Sequence, residues 1–99
     1  MPIRFEWDAR KERRNVQKHG VGFDEASTVF ADTLSITIPD PDHSDDEERW
    51  VTMGCSHRQR LLVVVHTEDD AQPIIRIISA RAADPDERRE YEESHPRKR

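Results

Sequence analysis

The segment Arg60-Leu61-Leu62-Val63-Val64-Val65-His66-Thr67 decides the fold of this chain of 99 residues. Its aliphatic middle shows no polar alternation, which predicts a central strand that is covered on both faces. Turn residues flank it at 56–59 and 68–73, and further apolar runs lie beyond them at 49–55 and 74–79. The pattern predicts two successive hairpins, and therefore neighbouring strands that run antiparallel.

Toward the N-terminus, the sequence predicts a strand followed by a helix. Residues 3–7 alternate apolar with charged side chains, as a half-buried strand does. Asp8 is a good N-cap for a polar helix that runs to about His19. Gly20 then stands where a helix end requires a left-handed residue. Asn15, inside this helix, carries an amide that we expect to tie the helix to a neighbouring loop.

The rest of the chain adds two helices, one more strand and a loop. A second helix begins at Phe23, and residues 33–38 alternate as a strand does. The stretch 39–48 holds two prolines and a run of carboxylates, which is typical of a solvated loop. Residues 84–94 predict a last helix, because a proline stands at its first position and acids follow.

The predicted order of elements is β-α-α-β-β-β-β-α. This order indicates an α+β fold with helices on a small, mainly antiparallel sheet. The length suits one domain, which we place at residues 1–93. We expect residues 94–99 to form a flexible basic tail.

Composition limits the classes of function. The net charge is −5 and 37% of the residues are charged, so general nucleic-acid binding through a basic surface is disfavoured. The charges are segregated, however, since residues 20–48 hold nine acids and no Lys or Arg. The single cysteine, Cys55, excludes an internal disulfide and suits a reducing cytoplasm. The sequence shows no signal segment and no membrane-spanning run, so we expect a cytoplasmic protein.

The sequence gives little support for a metal site or a nucleotide-binding site. The acidic loop offers five side chains as ligands: Asp40, Asp42, His43, Asp45 and Asp46. It lacks the glycine and the closing glutamate of a calcium loop, and the histidines form no i, i+4 pair. The chain has only three glycines and no phosphate-cradling loop. We therefore expect no metal and no cofactor.

Cationic side chains stand at the ends of the apolar strands. Arginine is rarely buried unless paired, and its planar guanidinium suits carboxylates and phosphates. RNA carries its own nucleophile, the 2′-hydroxyl, so cleavage without a metal needs a proton acceptor, cations around the phosphorane and an acid for the leaving oxygen. The strand arginines are Arg49, Arg60, Arg76 and Arg81. Of these, Arg49, Arg76 and Arg81 are the candidate cations, and Lys18, His19 and Tyr91 are the other candidates. The alternative is that these cations are solvated or locally paired.

Several motifs occur in a fixed order along the chain. They are Phe5-Glu6-Trp7-Asp8, Asn15, Lys18-His19-Gly20-Val21, Phe23-Asp24-Glu25-Ala26, Val29-Phe30-Ala31-Asp32, Glu48-Arg49, Gly54, Leu61-Leu62-Val63-Val64-Val65-His66-Thr67, Arg76-Ile77-Ile78-Ser79-Ala80-Arg81-Ala82, Glu87-Arg88 and Tyr91. Together they resemble the BrnT family of bacterial toxins. The resemblance extends from about residue 3 to residue 92. Its most specific parts are the arginine-bracketed strand and the Lys-His-Gly-Val helix end.

This resemblance implies a ribonuclease toxin of a type II toxin–antitoxin module, with a fold like that of the RelE toxins. Such toxins inhibit translation by cutting RNA. A ribbon-helix-helix antitoxin of the BrnA type would neutralise the toxin, and we expect the complex to be a heterotetramer. The positions that the family pattern marks as catalytic candidates are Lys18, His19, Arg49, Arg76, Arg81 and Tyr91.

Two considerations qualify this hypothesis. Arg76 and Arg81 are an odd number of residues apart, so an unbroken strand points them to opposite faces, and only a bulge or a strand end brings both to one phosphate. The acidic net charge of −5 also suits a rival from another class. In that reading the chain is a degenerate, non-catalytic module that binds a partner through its arginines.

Overall fold

The computed structural model describes residues 3–41, 48–69 and 71–94. Its elements are β1 (Arg4–Glu6), α1 (Ala9–His19), α2 (Phe23–Ser27), a 3₁₀ turn (Thr28–Ala31), β2 (Ile36–Pro39), β3 (Trp50–Cys55), β4 (Leu61–Glu68), β5 (Ile74–Ala82) and α3 (Pro85–Ser94). The predicted order and the α+β class are observed, with the 3₁₀ turn added after α2. Ser94, assigned above to the tail, is the last residue of α3, and residues 95–99 lie outside the described part.

The strands of the described residues form one mixed sheet in the order β1-β5-β4-β3-β2. β1 pairs with β5 in parallel, whereas β5–β4, β4–β3 and β3–β2 are antiparallel. The two predicted hairpins supply three of these strands. β4 lies at the centre, which explains why its aliphatic run lacks alternation. The parallel edge strand was not foreseen, because β1 reaches β5 only through a long connection.

One face of the sheet carries α1, α2 and the 3₁₀ turn, and we call it the core face. Alternate residues of β4 point to it, since successive side chains of a strand face opposite ways. Trp7 packs against Phe23 with 6.1 Å between the ring centroids, so this indole belongs to the core. The buried apolar residues here are Val21, Phe23, Ala26, Val29, Leu62, Val64, Ile77 and Ala80.

The opposite face, which we call the open face, is covered in part by α3. Met53, Leu61 and Val63 form a smaller buried cluster there, and Tyr91 packs against it. The Tyr91 hydroxyl donates a hydrogen bond to Asp32 Oδ2 at 2.6 Å. No described residue of α3 is buried. The helix is therefore held by few contacts, and the sheet beside it remains open.

A β-bulge in β5 decides which side chains reach the open face. Val65 of β4 pairs with Ser79 and the next residue, His66, pairs with Ile77, so Ile78 has no partner on β4. The extra residue reverses the alternation of β5 at this point. Arg76 and Arg81, which an unbroken strand would separate, consequently lie on the same face.

The caps of α1 follow the prediction. The Asp8 side chain accepts hydrogen bonds from the N–H groups of Arg10 at 2.8 Å and Lys11 at 3.2 Å. Gly20 adopts φ +70°, a left-handed conformation that other residues rarely take, and its N–H donates to the carbonyl of Val16. These caps fix the helix end that carries Lys18 and His19.

A line of polar side chains crosses the core face from β2 to β4. The hydroxyls of Thr37 and Thr52 lie 2.8 Å apart, and Thr52 Oγ1 lies 2.7 Å from His66 Nε2. The His66 ring is fully buried and stands edge-on to Phe30. Its Nδ1 has no hydrogen-bond partner in the described residues, since the nearest carboxylate oxygen, on Glu68, is 3.6 Å away.

β2 begins later than predicted. The alternation suggested residues 33–38, but the strand spans Ile36–Pro39. Asp32 explains the difference, because its side chain accepts the Leu34 N–H at 2.9 Å and its carbonyl accepts the Ser35 N–H at 3.0 Å. These bonds form a local turn of the kind that aspartate favours.

Candidate functional site

An open depression on the open face brings several of the candidate residues together. We call it the arginine cleft and define it by His19, Arg49, Arg81 and Glu87, which line its rim. Its volume is about 560 Å³. The floor is apolar and comes from β3, β4 and β5; it includes Val51, Val63, Val65 and Ile78. A strand of nucleic acid carries charged phosphates and apolar base faces, and both suit a surface with a charged rim and an apolar floor.

Arg81 and Glu87 form a parallel, two-bond ion pair at the cleft. Arg81 Nη1 donates to Glu87 Oε1 and Nη2 donates to Oε2, both at 2.8 Å. This hydrogen bonding raises the pKa of Arg81 and lowers the pKa of Glu87 from their ordinary values. A phosphate presents two oxygens in a similar geometry, so the same guanidinium can bind a phosphate in place of this carboxylate.

The first turn of α3 positions Glu87. Its Oε1 accepts the Asp84 N–H at 2.9 Å, and Asp84 Oδ1 accepts the Glu87 N–H at 2.8 Å. This reciprocal arrangement is a capping box. It fixes the carboxylate at the start of the helix, where the ion pair with Arg81 also joins α3 to β5.

His19 reaches the cleft from the last turn of α1. Asn15, one turn earlier, is buried and anchors that helix: its amide donates to the carbonyls of Val21 and Ala80, each at 2.8 Å, and accepts the Ala80 N–H at 3.1 Å. The expectation that Asn15 ties α1 to a loop is confirmed by the bond to Val21. The bonds to Ala80 place the helix end beside β5, so that His19 lines the cleft.

Arg49 enters the cleft from the residue before β3. Its carbonyl accepts the Asp40 N–H at 2.8 Å, which extends the β2–β3 pairing by one step. The side chain is half-buried, and Asp40, which is buried, also lines the cleft. Arg49 and Arg81 thus stand on different strands around a common floor.

Three candidate residues lie away from this group. Lys18 is exposed in the last turn of α1 and is not among the residues that line the cleft. Tyr91 donates its hydroxyl to Asp32, and its burial, followed by that hydrogen bond, raises the pKa of the phenol above its ordinary value. The phenol therefore stays protonated and anchors α3.

Arg76 occupies a separate, acidic depression. Its guanidinium lies 3.7 Å from Glu6 Oε1, and Glu48, Glu68 and Asp69 line the same surface. Arg76 and Arg81 pair with Thr67 and Val63 of β4, four residues apart, which corresponds to about 13 Å along the sheet. The bulge brings both arginines to one face, but it does not bring Arg76 to the cleft.

Arg60, the strand arginine that is not among the catalytic candidates, is paired within the protein. It donates through Nε to Glu25 Oε2 at 2.8 Å and through Nη2 to Glu25 Oε1. Ser56 Oγ donates to the same carboxylate at 2.7 Å. These hydrogen bonds lower the pKa of Glu25 to about 2, and Arg60 is the largest cause. Arg60 therefore meets a carboxylate of the protein itself, on a residue 35 positions away in sequence.

Two residues of the cleft were missed by the sequence reasoning. Glu87 stood in the sequence as part of a helix start, and its spacing from Asp84 signals a capping box rather than a site. Ser79 lines the cleft only because the bulge turns it to the open face. A bulge has no dependable signature in a single sequence, so Ser79 could not be found that way.

Metal-binding clusters and membrane-spanning helices are both absent from the part of the chain that the structure describes. No group of three or more His, Cys, Asp or Glu side chains is placed to hold a metal ion. The loop residues Asp42, His43, Asp45 and Asp46 lie outside the described ranges. No helix in residues 3–41, 48–69 and 71–94 is long and apolar enough to cross a membrane.

Known proteins resemble this chain at the levels of family and fold. The family model described as "Ribonuclease toxin, BrnT, of type II toxin-antitoxin system" matches residues 7–87. The 1.1 Å crystal structure of the Brucella abortus ribonuclease toxin, BrnT, superposes with a TM-score of 0.60 at 20% sequence identity. The match covers 84% of this chain and 99% of that chain. No curated protein matches the chain by sequence.

Proposed function

The chain belongs to the BrnT family of ribonuclease toxins of type II toxin–antitoxin systems, and from this we propose that it is a metal-independent endoribonuclease that inhibits translation. The observation that supports the proposal is the arginine cleft. Arg49, Arg81 and His19 come from three separate elements and line one open surface. Arg81 already holds a carboxylate in the two-bond geometry that suits a phosphate.

The proposed reaction is a transesterification that expels the 3′ fragment through its 5′-oxygen. The 2′-oxygen attacks phosphorus, the bond to the 5′-oxygen breaks, and a 2′,3′-cyclic phosphate forms, which water can open to a 3′-phosphate. Arg49 and Arg81 stabilise the negative charge that builds up on the phosphorane oxygens. His19 takes part in proton transfer, with Lys18 assisting from the same helix end.

The remaining candidates have supporting roles in this proposal. Arg76 lies about 13 Å from Arg81 along the sheet and outside the cleft, so in this proposal it contacts a part of the RNA away from the scissile phosphate. Tyr91 helps to position the substrate indirectly, because it holds α3 and thereby Glu87 at the cleft. Ribonuclease chemistry in the cytoplasm is consistent with the single unpaired cysteine.

The test is cleavage of a labelled RNA by the purified protein in EDTA. We expect a 5′ fragment that ends in a cyclic phosphate and a 3′ fragment with a free 5′-hydroxyl. The same RNA with a 2′-deoxy residue at the cut position should resist cleavage, because the nucleophile is missing. Absence of cleavage, or equal cleavage by Arg81→Ala, contradicts the proposal. Cleavage that appears only when Mg²⁺ is restored contradicts its metal-independent part.

Membership in the family implies a protein antitoxin as partner. We propose that this antitoxin is a ribbon-helix-helix protein of the BrnA type, in a complex with two copies of each chain, and that the toxin shares the RelE-like fold. Co-expression followed by light scattering on the purified complex tests the stoichiometry. Growth arrest on expression, relieved by the neighbouring gene product, tests the toxin–antitoxin pairing.

A non-catalytic partner-binding module is the second candidate. One observation favours it: Arg81 is paired with Glu87 at 2.8 Å and Arg76 lies 3.7 Å from Glu6, so both cations already face carboxylates. A module of this kind would bind its partner without arresting growth and without cutting RNA. The EDTA assay and the growth assay together separate the two candidates.

A further inference from the structure

The arginine cleft contains a carboxylate whose role goes beyond the residues assigned so far. Among the residues that line the cleft, Asp40 and Glu87 carry carboxylates. Asp40 is 8% exposed, whereas the Glu87 side chain is 27% exposed. Glu87 is thus the acid that a substrate can touch. It also lies against Arg81, the cation proposed to hold the scissile phosphate.

We infer that Glu87 is the general base that accepts the proton of the 2′-hydroxyl, and that His19 is the acid that protonates the leaving 5′-oxygen. This inference rests on the proposed ribonuclease function. It follows from the placement of the two groups, since Glu87 comes from α3 and His19 from α1, and both line one cleft with Arg81. A base and an acid from separate elements are what an in-line displacement needs.

The proton and electron balance is complete with these two groups. The proton of the 2′-hydroxyl moves to the Glu87 carboxylate as the bond from the 2′-oxygen to phosphorus forms. The bond from phosphorus to the 5′-oxygen breaks, and a proton from the imidazolium of His19 moves to that oxygen. Glu87 then carries a proton and His19 has lost one, so exchange with water restores the starting state.

The ion pair with Arg81 keeps Glu87 ionised before the substrate binds and lets its basicity rise afterwards. Arg81 lowers the pKa of Glu87, so the carboxylate is ionised at neutral pH. A bound phosphate competes for the two Arg81 N–H groups that now hold Glu87. As Arg81 turns toward the phosphate, the carboxylate loses the partner that lowered its pKa and becomes a stronger base.

The choice of variant follows from the second contact of Glu87. The carboxylate also accepts the Asp84 N–H at the start of α3, so a truncated side chain would disturb the helix. Glutamine keeps an acceptor oxygen for this capping box but cannot take up the proton. Glu87→Gln therefore removes the base and leaves the cap. Glu90→Gln is the matched control, because Glu90 is on the same helix and lines a neighbouring apolar groove rather than the cleft.

The experiment measures single-turnover cleavage of RNA in EDTA between pH 3 and 9, with thermal unfolding at each pH as a check of folding. We expect Glu87→Gln to lower the rate at pH 7 by about 10²–10⁴-fold and to abolish the acid limb of the pH profile. Glu90→Gln should match the wild type. A Glu87→Gln rate within threefold of the wild type, or above it, overturns the inference. A higher rate would mean that Glu87 only competes with the phosphate.

Two further outcomes remain decisive. If Glu87→Gln does not fold, Glu87→Asp decides, because its carboxylate stands one methylene farther from the 2′-hydroxyl. A rate reduced more than tenfold with the acid limb retained supports the inference, and an unchanged rate overturns it. If the wild type itself does not cut RNA, the proposed function fails and this inference fails with it. If the wild type cuts RNA and Glu87→Gln cuts it equally well, only this inference is overturned and the proposed function stands.

Discussion

The amide of Asn15 takes the place of a β-strand beside Ala80. β1 pairs with β5 only as far as Glu6 and Arg76, so beyond that point this edge of β5 has no strand neighbour among the described residues. The Asn15 side chain donates to the Ala80 carbonyl and accepts the Ala80 N–H, as a peptide group would. One helix side chain thereby closes a sheet edge and sets the position of His19.

Asn15→Ala should destabilise the fold and slow the proposed reaction together. The variant leaves the carbonyls of Val21 and Ala80 without the donors they now have, inside a buried region. We expect the free energy of unfolding to fall by about 3 kcal/mol, as measured by urea denaturation. RNA cleavage at a temperature where the variant is folded should also fall, because His19 loses its anchor. Gln17→Ala, at an exposed position of the same helix, is the control and should change neither quantity appreciably.

Arg81→Lys should keep the fold and lose most of the cleavage. Lysine carries the same charge but cannot form two parallel bonds to one phosphate or carboxylate. We expect kcat/KM for RNA in EDTA to fall by about 10²-fold, the usual effect of losing one charge-stabilising donor. Arg88→Lys is the matched control on α3, because its nearest carboxylate, on Glu92, is 3.9 Å away at the surface. If kcat/KM fell equally in both variants, the two-bond geometry of the Arg81 guanidinium would have no special role in cleavage.

Glu25→Gln should weaken the protein at neutral pH but not in strong acid. The carboxylate of Glu25 has a pKa of about 2 in the folded protein because Arg60 and Ser56 hydrogen-bond to it. Its ordinary value is 4.5, so the stabilisation is present above pH 4.5 and is lost as the pH falls toward 2. We expect the variant to be less stable by about 2 kcal/mol at pH 7 and by much less at pH 2.5, from urea unfolding. Asp24→Asn, exposed on the same helix, should show no such pH-dependent difference.

Buried His66 should make the protein less stable in mild acid. Burial lowers its pKa from 6.5 to about 4, so between these values the unfolded chain binds the proton more tightly. The free energy of unfolding should therefore fall by about 2 kcal/mol when the pH is lowered from 7.5 to 5. In His66→Gln this pH dependence should disappear. His57→Gln, at an exposed histidine, should retain it, and a flat profile in the wild type would contradict the assignment.

Local structure was predictable from the sequence wherever the determining residues are close together. Asp8 and Gly20 identified both ends of α1, and both caps are observed. Proline at the first position of α3 identified its start at Pro85. In each case the determining residue acts on the backbone within a few positions of itself, so a short window of sequence contains the whole signal.

Pairings between distant residues were not predictable. Arg60 and Glu25, or Tyr91 and Asp32, meet only after the sheet has assembled, and nothing in the sequence selects one carboxylate among many. The same limit applies to the cleft. Lys18, Arg76 and Tyr91 carry suitable groups, but their distances from Arg81 depend on the strand order and on the bulge. The sequence suggested the candidate residue types, and the structure brings His19, Arg49 and Arg81 together around one cleft.

The unmatched residue Ile78 lets β5 lose one codon without exchanging its two faces. After an in-frame deletion there, Ile77 and Ser79 would pair with His66 and Val65 as successive residues, so Ala80 would still point into the core and Arg81 to the cleft. β4 has no such spare residue, since each position from Leu62 to Glu68 has its own partner on β5. The same deletion in the middle of β4 would turn its core side chains outward on one side of the deletion. Tolerance to small deletions is therefore expected to differ sharply between two neighbouring strands.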